Sequence, residues 1–200
     1  DPRLRGKPVA VGGESRGVIA AASYEARQYG IFTTMPTARA RKLCPHLIVM
    51  PGDFERYEQF SRWMFSYVHD FTPEVEITSV DEGYFDVSGY ERMRPREIAT
   101  KIRKAIQDSL KINVSEGIAG NKLVSQIASK LNKPRSFTEV PVGWEKRFIQ
   151  PLPSKWLPGI GTKTAPRFID AGLSLIRHVS QVPLELLEMV AGKAAPVLRN

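Results

Sequence analysis

Residues 79–87 read Ser-Val-Asp-Glu-Gly-Tyr-Phe-Asp-Val, and the predicted fold is built outward from them. Asp81 and Glu82 interrupt a run of residues that otherwise favours β-structure. Successive side chains of a regular strand point to opposite faces, so both carboxylates reach one site only where the chain turns or bulges. Gly83 permits such a backbone. The residues therefore predict a β-hairpin with a pair of carboxylates at its tip.

The acidic pair has two interpretations. Asp-Glu-Gly is ordinary turn composition, so the tip can be a solvated turn without a role, and the pair alone favours this interpretation. Paired carboxylates are also hard oxygen ligands of the kind that hold Mg²⁺. The other motifs of the chain have to distinguish these two interpretations.

The composition indicates a globular protein with a basic surface. Hydrophobic residues make up 42% of the 200 residues, and the formal net charge is +8. Such an excess of Lys and Arg favours a polyanionic partner, with nucleic acid ahead of an anionic membrane surface. No apolar run approaches the roughly 20 residues of a membrane-spanning helix. We therefore expect no membrane-spanning helix in these residues, and the charge favours nucleic-acid binding.

Cys44 is the only cysteine, so no intrachain disulfide can form and a reducing compartment is expected. We expect its side chain to be a small buried hydrophobe. The histidines have no cysteines near them in the sequence, and no zinc site is predicted. The chain also starts without a signal segment, and we expect a cytoplasmic protein.

The first fifty residues predict a small α/β region. Its first helix has Ser23 as a favourable N-cap and Gly30 as a favourable end. The predicted elements are strands at 9–11 and 17–22, a turn at 12–16, and helices over 23–30 and 37–43.

The middle of the chain predicts a ferredoxin-like α+β sheet. From Phe54 on, apolar residues recur at three- and four-residue steps, and we expect this helix face to pack in a core. Strand, strand, helix, strand, helix is most of the ferredoxin-like order, and the lacking strand would precede residue 1. The helix face is Phe54, Tyr57, Phe60, Met64, Phe65, Val68 and Phe71, and later elements are predicted at 95–110, 112–118 and 121–131.

Pro, Gly and Trp cluster at 141–153 and predict a boundary, beyond which the chain forms short helices. Residues 157–163, Leu-Pro-Gly-Ile-Gly-Thr-Lys, have the form of a helix-hairpin-helix loop. Gly159 and Gly161 allow a phosphate to approach the backbone, and Lys163 adds positive charge. An unliganded turn is the alternative, and DNA-backbone binding is favoured. The short helices are predicted at 154–157, 163–171, 173–179 and 184–190.

Tyr24 and Arg27 lie three residues apart, and hence on one face of a short helix. A phenol beside a guanidinium can clamp a triphosphate, although a surface pair without a role is the commoner case. Lys133 could add positive charge where a later helix ends. Lys122 is a further candidate for contact with phosphate or DNA.

Several motifs in one order resemble the Y-family translesion DNA polymerases, of the DNA polymerase IV type. The resemblance extends from about Arg5 to Ala171. It rests on Ser-Tyr-Glu-Ala-Arg at 23–27, Met-Pro at 35–36, the hairpin at 79–88, Gly-Ile-Ala-Gly-Asn-Lys at 117–122, Asn-Lys-Pro at 132–134 and Pro-Gly-Ile-Gly at 158–161.

The resemblance implies fingers at 1–52, a ferredoxin-like palm at 53–140 and an all-α helix-hairpin-helix thumb at 141–200. It implies nucleotidyl transfer from a dNTP to the primer 3′-hydroxyl on template DNA, with two Mg²⁺ ions. The implied site residues are Asp81 and Glu82 as catalytic metal ligands, Tyr24, Arg27 and Lys133 for the nucleotide, and Gly159, Gly161, Lys163 and Lys122 for DNA.

The chain also departs from the family. Ala21 stands where members usually carry Ser or Thr, and the loss of that hydrogen bond lowers the expected nucleotide affinity. The first palm strand, with another metal-binding Asp, and the C-terminal little finger have no counterpart. We therefore expect these 200 residues to be inactive or nearly so alone. A sliding clamp or recombination protein would bind through the absent regions.

A non-catalytic relative, which binds damaged DNA or acts as a scaffold, is the alternative function. Ala21 and the absent strand favour it. A nucleotide cyclase with a palm-like fold is a weaker alternative, because it does not explain the glycine loop at 157–163.

Overall fold

The computed structural model describes residues 2–13 and 17–199 of the chain. They divide into two units, residues 1–59 and residues 60–200, and each unit has its own buried core. Residues 14–16 of the first predicted turn lie outside the described part. None of the described helices combines the length and the apolar character that crossing a membrane requires.

A three-stranded sheet in the order β2-β1-β3 supports the first unit. β1 (Val9–Gly12) pairs antiparallel with β2 (Ile19–Ala22) and parallel with β3 (Ile48–Met50). The sequence predicts β1 and β2 but not β3. A three-residue strand has no local pattern of its own, and its partner lies far away in the sequence.

Two short helices of the first unit confirm the prediction, α1 (Tyr24–Gln28) and α2 (Thr37–Leu43). Ser23 caps α1, because the Ala26 N–H donates to Ser23 Oγ at 3.2 Å. Cys44 is buried, as predicted for a small hydrophobe. The core of this unit is formed by Ala10, Ile19, Ala26, Ile31, Met35, Ala40, Cys44 and Leu47.

α3 (Phe54–His69) is the predicted aromatic helix, but only part of its apolar face is buried. Phe65 and Val68 lie in the core of the second unit. Phe54 is 76% exposed, so the prediction of core packing is wrong for this residue. Periodicity identifies the face of a helix, but it does not show how far along the helix the opposing surface extends.

The acidic hairpin is confirmed. β4 (Val75–Ile77) pairs antiparallel with β5 (Gly83–Phe85). A Cβ at Gly83 would lie 2.7 Å from the Phe65 ring, so the missing side chain lets α3 pack against the hairpin. α4 (Pro95–Leu110) has the predicted limits. The core beneath the hairpin is formed by Phe65, Val68, Ile98, Ile102 and Ile106.

The next strand pair is parallel and is connected by α5 (Lys122–Leu131), a predicted helix. β6 (Glu116–Ile118) pairs with β7 (Phe137–Glu139). The strand predicted at 112–118 is too long, because its hydrogen-bonded ladder covers only the three residues of β6. β7 is not predicted, since it is as short as β3.

The two strand pairs of the second unit are separate two-stranded sheets among the described residues. The sequence predicts most of one ferredoxin-like sheet, to which β4, β5 and β6 would belong. Ion pairs between side chains connect the β4–β5 hairpin with α5, the helix between β6 and β7. Lys122 of α5 forms an ion pair with Glu76 of β4, and Lys130 of α5 forms one with Glu82 beside β5.

Short helices form the C-terminal part of the second unit and share a core with Ile127 of α5. The predicted helix at 163–171 begins later, at Ala165, with Pro166 in its first turn. The helix predicted from 173 begins at Ile176, because Leu175 keeps an extended backbone. The helix predicted at 154–157 is a 3-10 helix, Ser154–Trp156. The described α-helices are α6 (Glu145–Ile149), α7 (Ala165–Asp170), α8 (Ile176–Gln181), α9 (Leu184–Ala191) and α10 (Ala195–Arg199), of which α6 and α10 are not predicted.

Candidate active site

Ser79 holds the tip of the acidic hairpin in its turn. Its Oγ accepts hydrogen bonds from the Asp81 N–H at 3.3 Å and the Glu82 N–H at 3.0 Å. The same hydroxyl donates to Asp81 Oδ1 at 2.8 Å. The N–H groups of Thr78 and Ser79 both donate to the Glu82 carbonyl at 3.0 Å. The tip therefore leaves the strand conformation, and strand alternation no longer separates Asp81 from Glu82.

Asp81 and Glu82 lie in different surroundings although they are neighbours. The Asp81 side chain is exposed, and Ser79 orients one of its oxygens. The Glu82 side chain is 44% exposed, and Lys130 Nζ lies 3.3 Å from Oε1 and 3.4 Å from Oε2. The sequence does not single out Ser79 or Lys130. Ser two residues before Asp is a turn signal that could have identified Ser79.

Lys122 and Tyr84 flank the same hairpin. Lys122 forms an ion pair with Glu76, and its Nζ lies 5.7 Å from the centre of the Tyr84 ring. Burial raises the pKa of Tyr84, the negative charges of Glu82 and Glu76 raise it further, and Lys122 opposes them. The structure therefore places Lys122 beside the acidic site, and its contact with DNA stays a prediction.

The donor chemistry of the tip suits a divalent cation. Carboxylate oxygens are the ligands that Mg²⁺ prefers, and both carboxylates of the tip reach solvent. The described residues contain no group of three or more His, Cys, Asp or Glu side chains that could hold a metal ion. Asp81 and Glu82 thus fit such an ion as part of its ligand set.

The structure brings Tyr24 and Arg27 together within the first unit. The Arg27 guanidinium carbon lies 5.2 Å from the centre of the Tyr24 ring, and Nε donates to the Ala22 carbonyl at 3.1 Å. Tyr24 is 47% exposed, so the pair is accessible from solvent. Lys133 is exposed and belongs to the second unit. The roles of these three residues stay predictions.

The glycine loop at 157–163 is anchored by apolar residues and open elsewhere. Leu157 and Ile160 are buried. Gly159 has a φ of +88°, which favours glycine, and a Cβ at Gly159 or Gly161 would meet no atom within 4 Å. Lys163 is exposed. The backbone of this loop is therefore accessible to a large ligand, as the predicted contact with DNA requires.

Residues 1–130 match the impB/mucB/samB family. The chain belongs to this family. Over its whole length it is 47% identical to DNA polymerase IV of Opitutus terrae and 40% identical to DNA polymerase IV of Dehalococcoides mccartyi. The alignments cover 52% of each of these proteins, so the chain spans about half the length of the curated relatives it matches.

Solved structures of Y-family DNA polymerases share the fold of this family member. The crystal structure of DinB from Sulfolobus solfataricus matches with a TM-score of 0.90 at 32% identity. An insertion ternary complex of Dbh DNA polymerase matches with a TM-score of 0.88 at 30% identity. Both matches cover 99% of this chain and 60% of the other chain. The chain therefore has the α+β fold of the palm and fingers region of Y-family polymerases, which are metal-dependent enzymes.

Proposed function

We propose that this chain carries the catalytic carboxylates of a low-fidelity translesion DNA polymerase. The observation that carries the proposal is the Ser79-braced turn, which exposes Asp81 and Glu82 together at one hairpin tip in a member of this family. The reaction is nucleotidyl transfer from a dNTP to the 3′-hydroxyl of a primer on template DNA. The proposed parts are fingers at 1–52, a ferredoxin-like palm at 53–140 and a helix-hairpin-helix thumb at 141–200.

Asp81 and Glu82 are the residues that would hold Mg²⁺. Two bound Mg²⁺ ions supply Lewis-acid activation of the primer hydroxyl and neutralise negative charge on the phosphates. The hydrogen bond from the Ser79 hydroxyl keeps one Asp81 oxygen oriented while the other remains available. The turn bonds to the Glu82 carbonyl fix the backbone of the residue that follows Asp81.

The nucleotide and DNA contacts come from basic residues outside the hairpin. Arg27, steadied by the Ala22 carbonyl, and Tyr24 are the proposed triphosphate-binding residues of the first unit, and Lys133 is the proposed one of the second unit. The open backbone at Gly159 and Gly161, with Lys163 beside it, and Lys122 contact the DNA backbone. We propose a cytoplasmic protein whose clamp or recombination partner binds outside these residues.

The test is primer extension by the gene product that carries this sequence. We expect Asp81→Ala to lower extension by about 10²-fold or more, because a metal ligand supplies several kcal/mol of transition-state stabilisation. Asp108→Asn is the matched control, since Asp108 is an exposed carboxylate paired with Lys104 on α4. We expect the control to extend primers at the normal rate.

A non-catalytic DNA-binding relative is the second candidate, and Ala21 favours it because its exposed methyl group cannot hydrogen-bond a phosphate. This candidate predicts DNA binding without extension in the unaltered protein. Extension by the Asp81→Ala protein at the normal rate would also contradict the proposed catalytic role.

A further inference from the structure

Two lysines of α5 reach the face of the hairpin that carries the acidic tip. Lys122, in the first turn of α5, forms an ion pair with Glu76, and Lys130, in the last turn, forms one with Glu82. The Lys130 ammonium lies at nearly equal distances, 3.3 Å and 3.4 Å, from the two Glu82 carboxylate oxygens. One ammonium group is therefore close to both oxygens of the Glu82 carboxylate.

An ammonium in this position competes with a metal ion. A divalent cation bound by Glu82 approaches the carboxylate oxygens to about 2.0–2.6 Å, where it would repel the Lys130 ammonium strongly. Both Glu82 carboxylate oxygens face Lys130 in the structure. Lys130 therefore has to withdraw from at least one oxygen when a metal ion binds there.

α5 allows the Lys130 side chain to withdraw while the helix stays in place. Ile127 and Ala128, in the preceding turn, are buried, and the Ser136 hydroxyl donates to the Ala128 carbonyl at 3.0 Å. The Lys130 side chain is 34% exposed, and its four-carbon stem gives the ammonium other positions in solvent. An ion pair this exposed contributes little to stability, so its loss costs little.

We propose that Lys130 is a positioning residue that occupies Glu82 as an internal counter-ion and lowers the affinity of the acidic tip for divalent cations. The proposal rests on the proposed function, because it takes Asp81 and Glu82 as metal ligands. Lys130 offsets the negative charge of Glu82. Lys130 also weakens the binding of a metal ion to the acidic tip until the DNA and the dNTP supply further ligands for the ion.

The test is a titration with Mn²⁺ of the gene product that carries this sequence, because Mn²⁺ binds oxygen ligands as Mg²⁺ does and broadens nearby amide NMR signals. The affinity is measured from the amide signals of residues 79–84. We expect Lys130→Met to bind Mn²⁺ about threefold to tenfold more tightly, because one unit charge is removed within several ångströms of the metal. Lys130→Arg keeps the charge and should bind no more tightly than the unaltered chain.

Lys104→Met is the control for net charge, since it removes an equal charge from the exposed Lys104–Asp108 pair on α4. We expect this variant to bind Mn²⁺ within about twofold of the unaltered chain. Equal affinity of Lys130→Met and the unaltered chain overturns the proposal, and so does an equal gain in Lys104→Met. Thermal unfolding checks that each variant is folded, and Lys130→Gln replaces Lys130→Met if that protein does not fold.

Asp81→Asn separates this inference from the proposed function. If Mn²⁺ broadens residues 79–84 in the unaltered chain but not in Asp81→Asn, the metal site stands, and the Lys130 variants alone decide the inference. If broadening is absent from the unaltered chain, or equal in Asp81→Asn, the metal role of the tip fails. The inference then fails with it.

Discussion

Two Glu-Gly dipeptides lie at the start of short strands of this protein, and they have opposite surroundings. Glu82-Gly83 leads into β5, and its carboxylate reaches solvent and pairs with Lys130. Glu116-Gly117 begins β6, and its carboxylate has a buried Oε2 without a hydrogen-bond partner among the residues that the structure describes. The same two residues thus provide a candidate metal ligand in one place and a buried acid in the other.

The packing of the two glycines explains the difference. Gly83 lies against Phe65 of α3, and Gly117 lies against the backbone of α5. Because neighbouring strand residues face opposite sides, Glu116 points away from α5. Burial raises the pKa of Glu116 to about 7, and the positive charge of Arg103 opposes this rise. The helix against which each glycine packs, rather than the Glu-Gly dipeptide, therefore determines whether the glutamate is exposed or buried.

We expect the largest effect on stability from Gly117→Ala. The new methyl group would overlap the Ser125 carbonyl and the Ser129 backbone N–H, which cannot move without shifting α5. We expect a loss of about 3 kcal/mol in the free energy of unfolding, measured by urea denaturation. Gly83→Ala is the matched change, and it should cost about 1–2 kcal/mol, because the new methyl group would meet mainly the end of the Phe65 side chain, which can shift, and would lie 3.0 Å from the Glu76 carbonyl oxygen. Equal losses would show that the two glycines are packed alike.

The second largest effect is the change of the free energy of unfolding with pH that Glu116 causes. Its pKa rises from 4.5 to about 7 on folding, so between these values the folded chain holds a proton that the unfolded chain has lost. The stability contributed by this proton is complete below pH 4.5 and is lost as the pH rises through 7.

We therefore expect Glu116→Gln to be more stable than the unaltered chain by roughly 2–3 kcal/mol at pH 8 and nearly equal to it at pH 4.5, in urea denaturation at both values. Glu82→Gln is the control and should show no such gain at the higher pH, because Glu82 is paired and partly exposed. A constant difference between Glu116→Gln and the unaltered chain at the two pH values would contradict the prediction.

The smallest effect is expected from Ser79→Ala, which removes three hydrogen bonds from the hairpin tip. Because the site is exposed, we expect a loss of about 1 kcal/mol in stability. Without its bond from Ser79, Asp81 is less well oriented, and Mn²⁺ affinity should fall about twofold to fivefold. Both quantities are measured by the denaturation and NMR titrations above.

Ser115→Ala is the matched control beside Glu116, since Ser115 Oγ accepts from the Ser136 N–H at 3.1 Å. It should lower stability by a similar amount and leave Mn²⁺ affinity unchanged. Equal Mn²⁺ affinities in the two variants would show that Ser79 does not orient the acidic tip.

Patterns confined to one segment predict much of the fold correctly. The acidic turn predicts the hairpin, and apolar periodicity predicts α4 and α5 to within one residue. Ser23 and Asn121 mark helix starts that the structure confirms by side-chain caps. Each of these signals acts over a few neighbouring residues, so the sequence displays it directly.

Predictions that depend on distant partners fail or are missing. β3 and β7 are three residues long and exist because a parallel partner lies beside them. Phe54 continues an apolar face beyond the surface that buries it. In the candidate site, Asp81 and Glu82 are predicted, whereas Glu76 and Lys130 are missed because each contact joins residues more than forty positions apart.

The sequence by itself determined the longer helices, the acidic turn and the motifs that indicate the family, because turn chemistry and helix periodicity depend on neighbouring residues. Tertiary structure alone decided the environment of each acid. Lys130 neutralises Glu82, while the packing of Gly117 on α5 turns Glu116 to the opposite side and leaves its Oε2 buried. Burial and long-range charge come from side chains that folding brings together, and no local pattern contains them.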